Sequence, residues 1–290
     1  MENGIADTNM LENSRSFRAF LNSPLSCCKY SSYFPIYDQI LSQYIGKKIT
    51  FVEIGVQDGG SLIFWQDFFG PNARIIGIDL NPEAKRFEKF GFEIFIGDQA
   101  NVNFWANFIN QVGDVDIVLD DGGHTYLQQI VTVESLATHI NDGGLIIVED
   151  THTSMLSGFG NRTYSFLNYA KTVSSLLTNR SGKLIKENYD KRFYSVQFFE
   201  SVVVFHINRE FTKDKSFLIK NNNSETSLGD FRYEQNFLWR LYFSFRAKIK
   251  FMSKNTIIKK MIKGFFIFLN DNLFSTWELK KYFKANRGIM

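Results

Sequence analysis

Two short apolar runs, at 115–119 and 145–148, each stop abruptly at acids: Asp120 and Asp121 after the first, Glu149 and Asp150 after the second. About one helix of sequence separates them. This is the pattern of two parallel strands joined by a crossover helix, which brings both strand ends to one edge of a sheet. Similar runs upstream, at 49–54, 74–78 and 92–96, predict three further strands, with helices expected around 82–90 and over 101–111. Downstream, Phe166, Tyr169, Ala170 and Val173 share one face of a helix expected over 161–177, and 192–207 reads as a hairpin turning at Glu200 and Ser201. A lead-in helix begins near Pro35, a suitable first-turn residue. Tyr30, Tyr33, Phe34 and Tyr37 crowd its entry; they pack the lead-in onto the domain or, in part, wall a substrate pocket.

The expected fold is α/β: a Rossmann-like, doubly wound, mostly parallel sheet ending in an antiparallel hairpin, with a helical basic C-terminal extension. Residues 1–28 show no strong periodicity and are expected to form a partly ordered arm. The organisation that follows is an arm and lead-in helix over 1–45, a ligand-binding domain over 46–208, a polar linker over 209–230, and a basic amphipathic helical extension over 231–290, including a short helix at 277–283.

With 290 residues, 44% of them hydrophobic, the chain suffices for one sizeable α/β domain with additions or two small ones. Its two cysteines, Cys27 and Cys28, are adjacent and cannot staple distant segments, which points to a reducing compartment. The amino-terminal stretch lacks the basic and apolar regions of a secretory leader, and no run approaches the ~18 to 20 apolar residues of a membrane span. A cytoplasmic protein is expected. Charge changes the picture at one end: residues 241–290 hold 11 Lys and Arg against Asp271 and Glu278, a net +9, which leaves residues 1–240 at −6. The tail reads as packing helices or a homo-oligomer interface, or as a peripheral contact with the inner membrane face through lysines and Phe265, Phe266, Phe268 and Trp277. Nucleic-acid binding is disfavoured because no recognition module is visible.

If the strands at 115–119 and 145–148 are neighbours, their ends lie roughly 5 Å apart. Asp120, Asp121, Glu149 and Asp150 then converge with His124 and His152 at the edge where open α/β sheets bind ligands. Hard oxygen ligands without paired cysteines suit Mg²⁺ or a similar divalent cation. Upstream, Glu53, Gly55, Gly59, Gly60 and Ser61 form a glycine-rich turn between strand and helix, where backbone can approach a ligand closely. Asp79, 24 residues after Gly55, ends the next strand where an acid can accept both hydroxyls of a ribose. Asp98 and Gln99 either hydrogen-bond an adenine or cap the next helix. Asp120 contacts the cofactor or buttresses its loop. The glycine spacing is not the dinucleotide fingerprint, which disfavours a nicotinamide oxidoreductase.

Five parallel strands closed by a hairpin make the architecture of class I methyltransferases. The stretches EIGVQDGGSLIFW, IIGIDLNP, IGDQ, VLDDGGHTYLQQ and VEDTHTS, within residues 29–207, resemble the metal-dependent macrocin- and mycinamicin-type sugar O-methyltransferases, often labelled cephalosporin-hydroxylase-like. Gly123 stands where serine is common in that family, and Met155 where an aromatic usually follows. The resemblance implies a class I fold, S-adenosylmethionine and Mg²⁺ as cofactors, and a hydroxyl of a sugar, in a glycan or a glycosylated metabolite, as methyl acceptor. It implies Asp121, Glu149 and Asp150 as metal ligands, His124 with Asp121 as the catalytic pair, and Glu53, Gly55, Gly59, Ser61, Asp79, Asp98, Gln99 and Asp120 as the cofactor site. His152 and Tyr33 are candidate substrate contacts. Imidazoles exchange protons near neutral pH, which suits His124 as general base. The competing class is a non-catalytic S-adenosylmethionine-binding or membrane-associated scaffold, which would have no use for adjacent uncompensated acids.

Overall fold

In the computed structural model the described residues are 11–178, 191–213, 219, 221, 237–252, 256–274 and 280. Of the linker expected over 209–230 they include 209–213, where a short helix stands instead, with 219 and 221, and of the helix expected at 277–283 only 280. The chain divides into two units, Met1–Phe217 and Leu218–Met290.

The first unit is built on a sheet whose strands are β1 (Thr50–Ile54), β2 (Arg74–Asp79), β3 (Glu93–Ile96), β4 (Val115–Asp120), β5 (Ile140–Val148), β6 (Ser195–Phe198) and β7 (Val203–His206). Their order is β3-β2-β1-β4-β5-β7-β6. The first five run parallel, and β7 pairs antiparallel with both β5 and β6. The parallel strands read as near-continuous apolar runs because helices cover both faces of such a sheet. β1 and β4 are central: Phe51, Val52, Ile117, Val118 and Leu119 are all fully buried. Chain order reverses at β1, where β2 lies on one side and β4 on the other, and this switch is where open α/β sheets place their ligand crevice.

The helices are α1 (Arg15–Asn22), α2 (Tyr33–Leu41), α3 (Gly60–Phe69), α4 (Val102–Val112), α5 (Tyr126–Leu136), α6 (Phe166–Thr178) and the short α7 (Arg209–Thr212), with a 3₁₀ segment at Pro82–Phe90. On one face α1, α2 and α3 build an aromatic layer of Phe34, Tyr37, Phe64, Trp65, Phe68 and Phe69. On the other, Trp105, Phe108, Val133, Leu136, Phe166 and Ala170 pack α4, α5 and α6 against the sheet.

The arm expected over 1–28 is in part a helix. Ser14 caps α1 by accepting from the Phe17 amide, Ser16 and Ala19 are buried, and the Arg15 guanidinium donates to the Phe68 carbonyl at 2.8 and 3.0 Å. Phe17 and Phe20 also pack on Phe34, but the helix is only two turns long, too short for its apolar face to stand out in the sequence.

The second unit contains α8 (Phe237–Met252) and α9 (Thr256–Leu269). The Tyr242 and Phe266 rings meet at 5.4 Å between them. Among the described residues no helix is long and apolar enough to cross a membrane.

Candidate active site

The carboxyl ends of β1 and β4 touch directly. Gly55 follows β1 with φ of 95°, and a Cβ there would lie 2.1 Å from the Asp121 carbonyl oxygen, so only glycine lets the two turns meet. Asp79, at the end of β2, holds the glycine-rich turn: its Oδ2 accepts from the Val56 and Gln57 amides at 2.9 and 3.0 Å. Oδ1 accepts from the Asn81 amide at 2.8 Å.

The loop after β4 is braced from beneath. Gln99 is buried; its Nε2 donates to Asp120 Oδ1 at 2.8 Å and to Thr132 Oγ1 at 3.1 Å, while its Oε1 accepts from the Gly123 amide at 3.2 Å. Asp120 is fully buried and also accepts from the Gly122 amide. Burial pushes its carboxyl pKa up. Asp120 therefore buttresses the loop. Gln99, expected either to read an adenine or to cap a helix, spends its side-chain amide on the same brace, and the cap of α4 is Asn101. Thr125 and Gln128 close the loop with a capping box at the start of α5.

Three groups come together at this edge. The outer oxygens Asp121 Oδ1 and Asp150 Oδ2 lie 3.9 and 3.5 Å from His124 Nε2. Asp121, His124 and Asp150 each offer a ligand atom, all within 4.8 Å of one another, a donor set that fits a divalent cation. His124 Nδ1 is buried with no hydrogen-bond partner among the described residues. The same three side chains line a cavity of about 700 Å³ with Gly55, Asp79, Asp98 and Gln99. Its size and its glycine-lined wall fit a nucleoside-bearing cofactor.

Other expected site residues lie elsewhere. Glu53, Gly59 and Ser61 do not line this cavity. Glu53 is fully buried and accepts from Ser61 Oγ at 2.6 Å and Trp65 Nε1 at 3.0 Å, fastening β1 to α3 behind the turn. Burial raises its carboxyl pKa to about 7, opposed by Lys29 and by the two donors. Glu149, expected beside Asp121 and Asp150, faces the opposite way, as consecutive residues at a strand end do. It is fully buried, its Oε1 accepts from the Tyr37 hydroxyl, and its Oε2 accepts from Lys29 Nζ at 2.7 Å. Burial drives its pKa up to about 8 against the pull of Lys29. Tyr33 is buried and donates to Asp150 Oδ1 at 2.5 Å, so it aims the acid rather than walling a pocket. His152 Nδ1 sits 2.5 Å from Ser201 Oγ at the hairpin turn, away from the cavity lining.

Lys29 and Tyr37 were not singled out by their chemistry in the sequence. The available signal was charge: four acids at one edge call for a cation, and Lys29 is the single basic residue between Arg18 and Lys47. Burial alone pushes its ammonium toward neutrality, but Asp121 and Glu149 override this and hold its pKa well above the ordinary lysine value.

Residues 52–151 match a family model described as a methyltransferase domain. Over 133 residues the chain is 32% identical to mycinamicin VI 2''-O-methyltransferase of Micromonospora griseorubida, a match covering 43% of this chain and 33% of that protein. It is 30% identical over 133 residues to demethylmacrocin O-methyltransferase of Streptomyces fradiae, covering 43% of this chain and 33% of that one. The matches thus span about a third of the length of these curated relatives. In structure, the chain is similar to the mycinamycin-pathway methyltransferase MycE in complex with Mg, SAH and mycinamycin VI, with a TM-score of 0.61, 21% identity, and coverage of 73% of this chain and 57% of that one. That likeness shows the fold. Residues 52–151 are thus similar to a methyltransferase domain, and the proteins this chain resembles include mycinamicin- and macrocin-type O-methyltransferases.

Proposed function

We propose that this chain transfers a methyl group from S-adenosylmethionine to a sugar hydroxyl, with a divalent cation such as Mg²⁺ held at Asp121 and Asp150. The observation that carries this reading is the convergence of Asp121 Oδ1, Asp150 Oδ2 and His124 Nε2 on one cavity. The names of the relatives support the acceptor class, since one acts on a rhamnosyl tetracenomycin at a 2'-hydroxyl.

In this reading the cofactor occupies the cavity, with Gly55 allowing close backbone approach, Asp79 receiving the ribose hydroxyls with the lone pairs its backbone partners leave, and Asp98 facing the base. The bound cation would lower the pKa of a chelated hydroxyl and offset the charge of the acids. The chain's own groups do the rest. Asp121 and Asp150 orient the acceptor, and His124 Nε2 takes the hydroxyl proton as the oxygen attacks the methyl carbon. A C–O bond forms, the C–S bond breaks, and S-adenosylhomocysteine departs. Fixing the hydroxyl in line with the methyl would supply a large part of the acceleration.

The acceptor we favour within the sugar class is a glycan near a membrane. Ile257, Met261, Phe265 and Phe268 are all exposed at helical spacing on α9, with exposed Lys260 and Lys263 beside them, in a tail of net +9. Co-sedimentation with anionic vesicles checks this part, and a concentration-dependent mass in light scattering would assign the face to a second copy instead.

The test of the main reading is calorimetric titration of S-adenosylmethionine into the purified protein, followed by transfer of a labelled methyl group to a panel of sugars and nucleotide sugars with Mg²⁺ or with EDTA. Cofactor binding with EDTA-sensitive transfer is expected. Binding without transfer to any acceptor, and without uptake of a divalent ion, would favour the scaffold class.

A further inference from the structure

The segment between α1 and α2 lays Lys29 across the open edge of the sheet. Its Nζ is 2.6 Å from Asp121 Oδ2 and 2.7 Å from Glu149 Oε2, and its side chain is 1% exposed. The placement is built in. Ser23 Oγ donates to the Gly60 carbonyl at 2.8 Å, and the carbonyl oxygens of Ser26 and Leu25 lie 2.3 and 2.5 Å from where a Cβ on Gly60 would be, so this segment packs on the first turn of α3.

The contact divides the acids into inner and outer oxygens. Asp121 gives Oδ2 to Lys29 and Oδ1 to the His124 side. Asp150 gives Oδ1 to Tyr33 and Oδ2 to the His124 side. Glu149 gives both oxygens to Tyr37 and Lys29 and keeps none for the cavity. A divalent ion seated among all three acids would have to share Asp121 Oδ2 and Glu149 Oε2 with an ammonium, at distances where like charges repel strongly in a dry site.

Resting on the metal reading above, we propose that Lys29 is a resident cation of the acidic cluster that withholds Glu149 and the inner oxygen of Asp121, so that of the carboxylate oxygens of the three acids only Asp121 Oδ1 and Asp150 Oδ2 are left to a divalent ion. Lys29 is then a positioning residue: it fixes which oxygens face the acceptor and weakens the hold on the metal. Glu149 becomes a metal ligand only when Lys29 is gone.

The experiment is Mn²⁺ titration of the full chain followed by electron paramagnetic resonance, without cofactor or acceptor, on wild type, Lys29→Met, Lys29→Arg, Glu149→Gln and the double variant Lys29→Met/Glu149→Gln, with thermal melts to confirm folding. Removing a unit positive charge a few ångströms from the ion is expected to tighten Mn²⁺ binding by roughly tenfold in Lys29→Met. A merely structural role for Lys29 predicts the opposite sign. Lys29→Arg is expected to stay near wild type, and Glu149→Gln to change the affinity by less than about threefold alone but by roughly tenfold in the Lys29→Met background. Weaker binding in Lys29→Met, or loss of binding in Glu149→Gln alone, overturns the proposal. If Lys29→Met does not fold, the Glu149→Gln and Lys29→Arg arms decide it. Binding of Mn²⁺ by Lys29→Met but not by wild type would support the role of Lys29 and overturn the metal dependence of the native site. Binding by neither, with cofactor binding intact, would overturn both.

Discussion

His124 and Asp150 face each other across two adjacent strand ends, Nε2 to Oδ2 at 3.5 Å, and both hold left-handed backbone, with φ of 57° and 52°. Non-glycine residues adopt that conformation rarely and at a cost, which their surroundings must enforce. Here the enforcement is visible: the one hydroxyl proton of Thr153 is shared between the carbonyls of both residues, with Oγ1 at 3.2 Å from that of His124 and 2.9 Å from that of Asp150. The pair is therefore held in place before any ligand arrives. His124→Ala is expected to lower kcat for methyl transfer by about 10²- to 10⁴-fold, the usual contribution of a general base, while S-adenosylmethionine affinity stays within about threefold. Comparable losses in both, measured by calorimetry beside turnover, would make the imidazole structural.

Gly55 is the contact point of the cavity wall and the acidic loop. Alanine there is doubly penalised, by φ of 95° and by a backbone oxygen 2.1 Å from the new Cβ, and neither strand end can move away cheaply. Gly55→Ala should cost about 1–3 kcal/mol of stability, the range for a strained backbone position, and should weaken cofactor binding by at least roughly tenfold. Denaturant melts with and without S-adenosylmethionine check both. An alanine variant that keeps wild-type affinity would remove this turn from the site.

Much of this was legible in the chain because the parallel strands are uninterrupted apolar runs that end in acids or glycine, and a parallel topology forces their ends to one edge. The strands, the hairpin and the meeting of Asp121, His124 and Asp150 follow from that pattern. What sequence could not show is which way each side chain turns once the strand stops. β5 ends at Val148, and Glu149 then points to Lys29 and Tyr37 while Asp150 points to His124. Lys29 itself lies 92 residues from Asp121 and 120 from Glu149, in a stretch without periodicity, so nothing local marks it. Asp120 was expected at the ligand because it ends a strand, but burial assigns it to the brace beneath the loop, while Gln99 serves that brace and lines the cavity as well.

That brace makes its own prediction. Gln99 joins Asp120, Thr132 and the Gly123 amide, all from segments distant in sequence. Gln99→Leu removes the side-chain donor from Asp120 Oδ1 and strands the Gly123 amide, so it should cost about 1–3 kcal/mol, the penalty of leaving buried polar groups unsatisfied. Because the loop carries Asp121 and His124, turnover should fall as well, at fully occupied cofactor. Urea melts and saturating kinetics would show it. A variant as stable as wild type would mean that water replaces the amide.

Glu53 makes a prediction about pH. Its folded-state pKa stands at about 7, raised from an ordinary 4.5 by burial, so between those values the native protein binds a proton that the unfolded chain has released. Native stability from this group is thus complete below about pH 4.5 and declines as pH rises toward 7, where the buried carboxyl ionises. Glu53→Gln keeps an acceptor oxygen for Ser61 or Trp65 and has no charge to bury. The variant should therefore gain on wild type by up to about 3 kcal/mol between pH 4.5 and pH 7.5, the free-energy equivalent of the shift. Urea unfolding of both proteins across that interval checks the difference. If the gap between them does not move with pH, Glu53 is ionised throughout, and the Ser61 and Trp65 donors outweigh the cost of burying its charge.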